Sequence, residues 1–324
     1  MRVQQKRAEK EAENHEHIHG ESGETVGGKG ESKTAEYKLR LRTEPFPSDV
    51  RKKIEQKIRK IESGNPFFRQ KENEEEQLEK IMELPWYQTS KEIKDLNLAQ
   101  KKLDEAHFGL EKVKQRILEY LAVQQITGKS QGQVLCFVGH PGTGKTTFAR
   151  SVAEAMGRKF VALSLNGVHD EAEVRGHRPT YISARPGLIA EALVQAKVKN
   201  PVIFLDEVDK ASQVTGHHGN VSAALLTILD PEQNTKFRDN YIEIPIDLSQ
   251  VFFICGANYL RNIPAPLKDR MTIIHFPSYT TTDKFQIAQE KLIPKTLTTK
   301  GLDPQKFTFT TKAIKEIINY YDAP

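Results

Sequence analysis

Cysteine is nearly absent: the 324 residues contain two, Cys136 and Cys255. Two thiols cannot build the disulfide framework of a small secreted scaffold. Each lies in an apolar run, VLCFV and FFICGA, so both are expected to be buried, reduced and inert, as suits a reducing compartment. Long apolar stretches are missing too. No run approaches the roughly 18 residues that suggest a membrane span. The N-terminal stretch has no apolar segment of the kind that marks a secretory signal. It is rich in Glu, which argues against a mitochondrial presequence and for a cytoplasmic setting. Charge of one sign is lacking as well. The 48 Lys and Arg oppose 43 Asp and Glu, and the resulting +5 is dispersed, which gives no indication of nucleic acid as a partner.

What is present is unevenly placed. The length gives a prior of about two domains. Polar residues crowd the first hundred positions. Residues 1–44 hold GESGETVGGKGESK and little to bury, and are expected to be a disordered polar tail. Inside it His15-Glu16-His17-Ile18-His19 matches the zinc-protease pattern H-E-x-x-H. That chemistry needs both histidines on one face of a supported helix, and Gly20 and Gly23 follow at once, so a solvated tail is the expectation.

Residues 45–96 read as a helical region. Val50, Ile54, Ile58 and Ile61 recur at helical spacing behind Ser48 as N-cap, and Glu72–Glu83 carries Leu78, Ile81 and Met82. A further stripe of Leu110, Val113, Ile117, Leu121 and Ile126 predicts a helix over 110–126. After Gly132 short apolar runs alternate with longer amphipathic segments. Strands are expected at 134–138, 160–165, 202–205, 251–255 and 272–276, the pattern of a parallel sheet with crossover helices. We therefore expect an α/β domain over 97–278 and part of a small helical domain over 279–324.

The strongest chemical signal is Gly139-His140-Pro141-Gly142-Thr143-Gly144-Lys145-Thr146, which fits G-x-x-x-x-G-K-[ST]. A predicted strand precedes it and a predicted helix follows. Glycines let backbone N–H groups turn toward phosphate oxygens, and the helix N-terminus adds its positive dipole end. Lys145 is placed to reach the β and γ phosphates of ATP, and the Thr146 hydroxyl to bind Mg²⁺.

Sixty residues on, Val202-Ile203-Phe204-Leu205 ends in Asp206 and Glu207. In open α/β sheets ligands bind at the carboxyl ends of strands. Asp206 is expected to hold Mg²⁺ and Glu207 to polarise the attacking water, so hydrolysis rather than mere binding is expected. The strand VFFIC leads to Asn258, a polar amide suited to positioning water. Arg270 follows, a planar fork suited to gripping a phosphate offered by a neighbour.

GHPGTGKT, FLDEVDK, ICGAN and PAPLKDRM together resemble the AAA+ ATPases. LDEAHFGLEKVKQRILEYLAVQ, GHRPTYISARPG and LLTILDPEQNTKFRDNY, with ELPW ahead of them, are similar more narrowly to the ATPase module of the Lon protease family. The resemblance covers about residues 45–321. It implies an α/β P-loop NTPase fold, with an adenine pocket at His107, Phe108 and Gly109. It makes Asn258 the first sensor and Arg270 the arginine finger. It places a substrate-gripping pore loop at Tyr181 and Ile182. It further implies a ring, of six copies in the family, acting on unfolded or damaged protein. An exposed aromatic between Gly176 and Gly187 suits that work, since it can push on any chain without reading its sequence.

The sequence departs from the family at the second loop position, His140, where proline is usual. It ends at Pro324, before the family's second sensor arginine and Ser-Lys protease domain, so no peptide cleavage is expected from this chain. Two other readings stand beside the ATPase motor: a nucleotide-binding assembly fragment with little turnover, and a protease-free AAA+ remodeller.

Overall fold

The computed structural model describes residues 26–63, 68–127, 134–181, 183–211 and 221–321. The chain divides into two compact units, Met1–Leu78 and Glu79–Pro324.

In the first unit, helix α1 (Val26–Thr43) packs on α2 (Ser48–Glu62), and α3 (Phe68–Glu83) begins after it. The polar tail expected through residue 44 is thus corrected: residues 26–43 of it are helical. Thr34, Tyr37 and Leu41 recur at helical spacing and are buried, so Tyr37 and Leu41 give the helix an apolar face despite its polar composition. In α2 the predicted stripe Val50, Ile54, Ile58, Ile61 is buried. Ser48 is not its N-cap. That position falls to Pro47, and the Ser48 hydroxyl donates to Asp49 Oδ1 instead.

The second unit begins earlier than the boundary expected at 96/97. The segment after Trp86 is stitched to the α/β body by hydrogen bonds that no local pattern announces. Ser90 N donates to Asn200 Oδ1 at 2.7 Å, Lys199 N to the Gln88 carbonyl at 2.8 Å and Ile93 N to the Met156 carbonyl at 2.9 Å. Helices α4 (Leu96–Ala106) and α5 (Glu111–Thr127) follow. The α5 stripe buries Val113, Ile117 and Leu121. Ile126 leaves it and is 85% exposed, because it stands five positions after Leu121, an offset that carries it off the buried face.

The chain then runs β1 (Val134–Val138), α6 (Lys145–Met156), β2 (Phe160–Ser164), α7 (Glu171–Arg175), α8 (Leu188–Ala196), β3 (Val202–Asp206) and α9 (Val221–Leu229). A two-residue pair, β4 (Phe237–Arg238) and β5 (Pro245–Ile246), is antiparallel. Next come β6 (Phe252–Ala257), α10 (Ala265–Lys268) and β7 (Met271–His275). The main sheet has five parallel strands in the order β2-β3-β6-β1-β7. Central strands β1 and β6 are buried at every residue, as a parallel sheet covered on both faces requires, whereas edge strand β2 is partly exposed. Residues Leu135, Phe137, Val202, Phe204, Phe252 and Ile254 alternate onto one face and meet α4, α5 and α6 in one core.

Cys136 and Cys255 are register partners on adjacent strands, and both are buried free thiols. Burial pushes the Cys136 thiol up to about 12 and Cys255 well above its ordinary value, so neither is a nucleophile at neutral pH. The expectation of inert core thiols holds.

The chain closes with a helical run. Thr280 caps α11 (Thr281–Ile287) in a reciprocal box with Asp283. A π turn over Ala288–Leu292 leads into α12 (Ile293–Thr299), and α13 (Thr311–Tyr320) follows. Among the described residues no helix is long and apolar enough to cross a membrane.

Candidate active site

Parallel strands send all their carboxyl ends to one edge, and the motif residues collect there. The loop Gly139–Thr146 leaves β1 and enters α6. Gly142 and Gly144 hold φ of 82° and 87°, a region that other residues enter only at a cost. Those dihedrals turn the loop back over the N-terminus of α6, whose first N–H groups have no partner within the helix. Thr143 is buried and its hydroxyl donates to the His140 carbonyl at 2.8 Å, which fixes the loop from inside. His140, at the position where proline is usual, is exposed, and it is the carbonyl rather than the ring that fixes the loop.

Lys145 lies along the loop. Its Nζ donates to the Gly139 carbonyl at 2.7 Å, the His140 carbonyl at 3.0 Å and Asn258 Oδ1 at 2.9 Å. Burial holds its pKa below the ordinary lysine value, while Asp206, Asp209 and Glu207 pull it back up. A cation held by three neutral acceptors beside three carboxylates is charged and poised for a stronger anionic partner.

Asp206 ends β3, the strand beside β6, and Glu207 follows it in the turn. The Thr146 hydroxyl donates to Asp206 Oδ2 at 3.1 Å, so the two oxygens expected to hold Mg²⁺ converge across the loop. This is the hard-oxygen donor set that Mg²⁺ takes when phosphates supply the other ligands, and the residues fit the ion. Glu207 has φ of 60°, strained for a residue with a Cβ, and its N–H donates to Asp206 Oδ1 at 2.9 Å. Such strain costs on the order of 1–3 kcal/mol and concentrates at functional sites. Its carboxylate pairs with Lys210 at 2.5 Å. Asn258 follows β6, and its N–H donates to Asp209 Oδ2 at 3.2 Å, as does that of Tyr259 at 3.0 Å.

The residues expected at the base sit over α6. His107 ends α4, and its ring meets the Phe148 ring with centroids 4.6 Å apart. His107 Nε2 lies 2.9 Å from Ser151 Oγ. Phe108 and Gly109 continue the same turn into α5, Gly109 with φ of 63°. Burial first, then the charges of Lys114, Lys291 and Lys295, lower the His107 pKa from 6.5 to about 4. The folded imidazole therefore stays neutral where the unfolded one takes a proton. Stability is full above pH 6.5 and falls as the pH drops toward 4. His107→Gln should flatten that fall, seen as a smaller difference between urea midpoints at pH 7 and pH 5 than in the unsubstituted chain.

Arg270 lies at the other edge. It precedes β7, and its carbonyl accepts from Val134 N, at the start of β1, at 2.9 Å. The five residues of β7 separate it from the loop, about 16 Å at some 3.3 Å per residue. Its guanidinium turns to Asp230 Oδ2 at 3.2 Å and the Pro266 carbonyl at 3.1 Å. Tyr181 stands on the loop between α7 and α8 and is 64% exposed, not a core tyrosine. Ile182 and the His15–His19 string lie outside the described residues.

Sequence reasoning missed four side chains. Asp209 anchors Asn258, Asp230 holds Arg270, and Asp239 ties down the Tyr181 loop. The Tyr279 hydroxyl donates to the Thr143 carbonyl at 3.3 Å, joining the nucleotide loop to the chain just before α11. Of these, Asp209 stands in FLDEVDK and was open to notice.

The model of the ATPase family associated with various cellular activities matches residues 135–279. The chain is 49% identical over 290 residues to a Lon protease of Mycoplasma mycoides, covering 90% of this chain and 36% of that protein. It is 46% identical over 296 residues to a Lon protease of Acinetobacter baumannii, with 91% and 36% covered. It is 45% identical over 299 residues to Lon protease 4 of Sorangium cellulosum, with 92% and 37% covered. The chain thus spans about a third of the length of the curated relatives it matches.

Proposed function

We propose, taking this chain as an AAA ATPase module of the Lon type, that it binds Mg·ATP at Gly139–Thr146 and hydrolyses it at a site completed by a neighbouring copy. One observation carries the reading: Lys145, Thr146, Asp206, Glu207 and Asn258 meet at the carboxyl edge of three adjacent strands. Asp206 and the Thr146 hydroxyl hold Mg²⁺, which when bound offsets charge on the phosphate oxygens. Lys145 exchanges the Gly139 and His140 carbonyls for phosphate. Glu207 leaves Lys210, orients water and takes its proton. The side-chain carbonyl of Asn258, fixed through Asp209, turns the same water toward the phosphorus. His107, Phe108 and Gly109 bound the base. The neighbour's arginine meets the γ-phosphate, in a ring that we take to have six members. Tyr181 and Ile182 push unfolded or damaged protein, in a cytoplasmic setting consistent with two buried thiols.

Lys145→Ala removes a charge-assisted contact and should weaken ATP binding about tenfold to a hundredfold. Titration with a fluorescent ATP analogue checks it. Equal affinity in both proteins would contradict the placement of the phosphates.

A further inference from the structure

The loop carrying Tyr181 is held at both stems by two residues of the turn that follows β4. Asp239 is fully buried, and its carboxylate accepts three backbone N–H groups. Gly187 N donates to Oδ2 at 2.7 Å, and Tyr241 N and Ile242 N to Oδ1 at 2.8 and 3.0 Å. Gly187 is the N-cap of α8. Next to Asp239, Asn240 N donates to the Arg175 carbonyl at 2.6 Å and Asn240 Nδ2 to the Gly176 carbonyl at 3.0 Å, at the end of α7. Between the stems, His177 N donates to the Arg185 carbonyl at 3.0 Å.

The stems also meet without space to spare. A Cβ at Gly176 would lie 2.6 Å from Asp239 Oδ1, and one at Gly187 would lie 2.2 Å from the Val174 carbonyl oxygen. Burying a carboxylate is costly unless its oxygens are satisfied, and burial does raise the Asp239 pKa against the pull of those N–H groups. An ordinary turn capped by its own aspartate needs only the two local bonds, to Tyr241 and Ile242. The third bond, to a residue 52 positions away, serves the loop.

We propose that Asp239 and Asn240 are positioning residues for substrate engagement, a buried clamp that sets the height and rigidity of Tyr181 for an unfolded polypeptide. The proposal rests on the reading of Tyr181 as the residue that touches substrate. The clamp does not touch the substrate. It holds both ends of a loop whose tip is exposed, so that force on the tip reaches α7 and α8 rather than bending the loop.

The test uses the whole chain and two readouts. Hydrogen exchange over residues 176–187 reports the loop itself. The concentration of unfolded casein that half-stimulates phosphate release reports substrate engagement. Asp239→Asn places an amide against N–H donors and should speed loop exchange and raise that concentration, each about tenfold, the equivalent of one lost hydrogen bond. Affinity for ATP should not change. Unaltered loop exchange would overturn the clamp. Faster exchange with an unchanged casein response, while Tyr181→Ala loses it, would overturn the positioning role and leave the substrate reading intact. A full casein response in Tyr181→Ala would instead remove the substrate reading, and the proposal with it. Should Asp239→Asn not fold, Asn240→Ala, which deletes only the bond to the Gly176 carbonyl, decides by the same criteria.

Discussion

Arg270→Ala should lower ATP turnover about a thousandfold while leaving ATP affinity within about twofold, the signature of an arginine that acts only on the transition state. The expectation follows from topology. The nucleotide loop leaves the carboxyl end of β1, while Arg270 sits before the amino end of β7, which pairs with β1 in parallel. Parallel strands keep those edges apart along their whole length, so the arginine cannot reach the phosphates of its own chain. Asp230 keeps the guanidinium extended in the meantime. Its carboxyl lies below the ordinary aspartate range, mainly through the Glu232 N–H and also through Arg270, so it is ionised at neutral pH. Arg270 is partly exposed while Asp230 is buried, so the pair holds the guanidinium in place until a γ-phosphate offers it a more highly charged partner. Phosphate release beside a fluorescent-nucleotide titration checks both halves. A variant that turns over normally would contradict the role.

The second large effect falls on Glu207. Glu207→Gln keeps the shape of the side chain and its hydrogen bonds but removes the proton acceptor. Turnover should drop about a hundredfold to ten-thousandfold, with ATP still bound. Phosphoryl transfer asks little covalent chemistry of the protein, so the loss measures how far water orientation and proton removal limit the step. The strained backbone at Glu207 argues that its direction is imposed, since the φ of 60° is held by flanking bonds from Val208 N to the Gly256 carbonyl and Lys210 N to the Glu207 carbonyl. Single-turnover phosphate release with filter-bound ATP separates a slow chemical step from lost binding. Unchanged single-turnover release would reassign the base.

What could be read from the sequence follows physical range. The five strands of the sheet were legible within two residues because buried parallel strands are short apolar runs, and β1, β3 and β6 are buried on both faces. The loop Gly139–Thr146 was legible because its chemistry is local, with eight consecutive residues and correct flanks. The helix Val26–Thr43 was not, since among its described residues the buried apolar side chains are Tyr37 and Leu41, in a polar background. Nor was the edge of the second unit. It depends on Ser90 meeting Asn200, 110 residues away. The supporting side chains likewise act over long separations, and only Asp209 stood inside a motif. Asp230 reaches Arg270 over 40 positions, Asp209 reaches Asn258 over 49, and Tyr279 reaches Thr143 over 136. Motifs announce groups that touch a ligand. The residues that aim those groups are distant in sequence and look like ordinary turn aspartates.

The central claim, hydrolysis at Gly139–Thr146 with an arginine from a neighbour, is tested most directly by mixing two inactive chains. Arg270→Ala has an intact loop and no arginine. Lys145→Ala has an intact arginine and a damaged loop. Phosphate release is measured across mixing ratios, with mixed assemblies confirmed by native mass spectrometry. The account predicts that the mixture recovers turnover neither chain has alone, with a maximum at an intermediate ratio. Mixed assemblies that form and release no more phosphate than the two chains separately would contradict it.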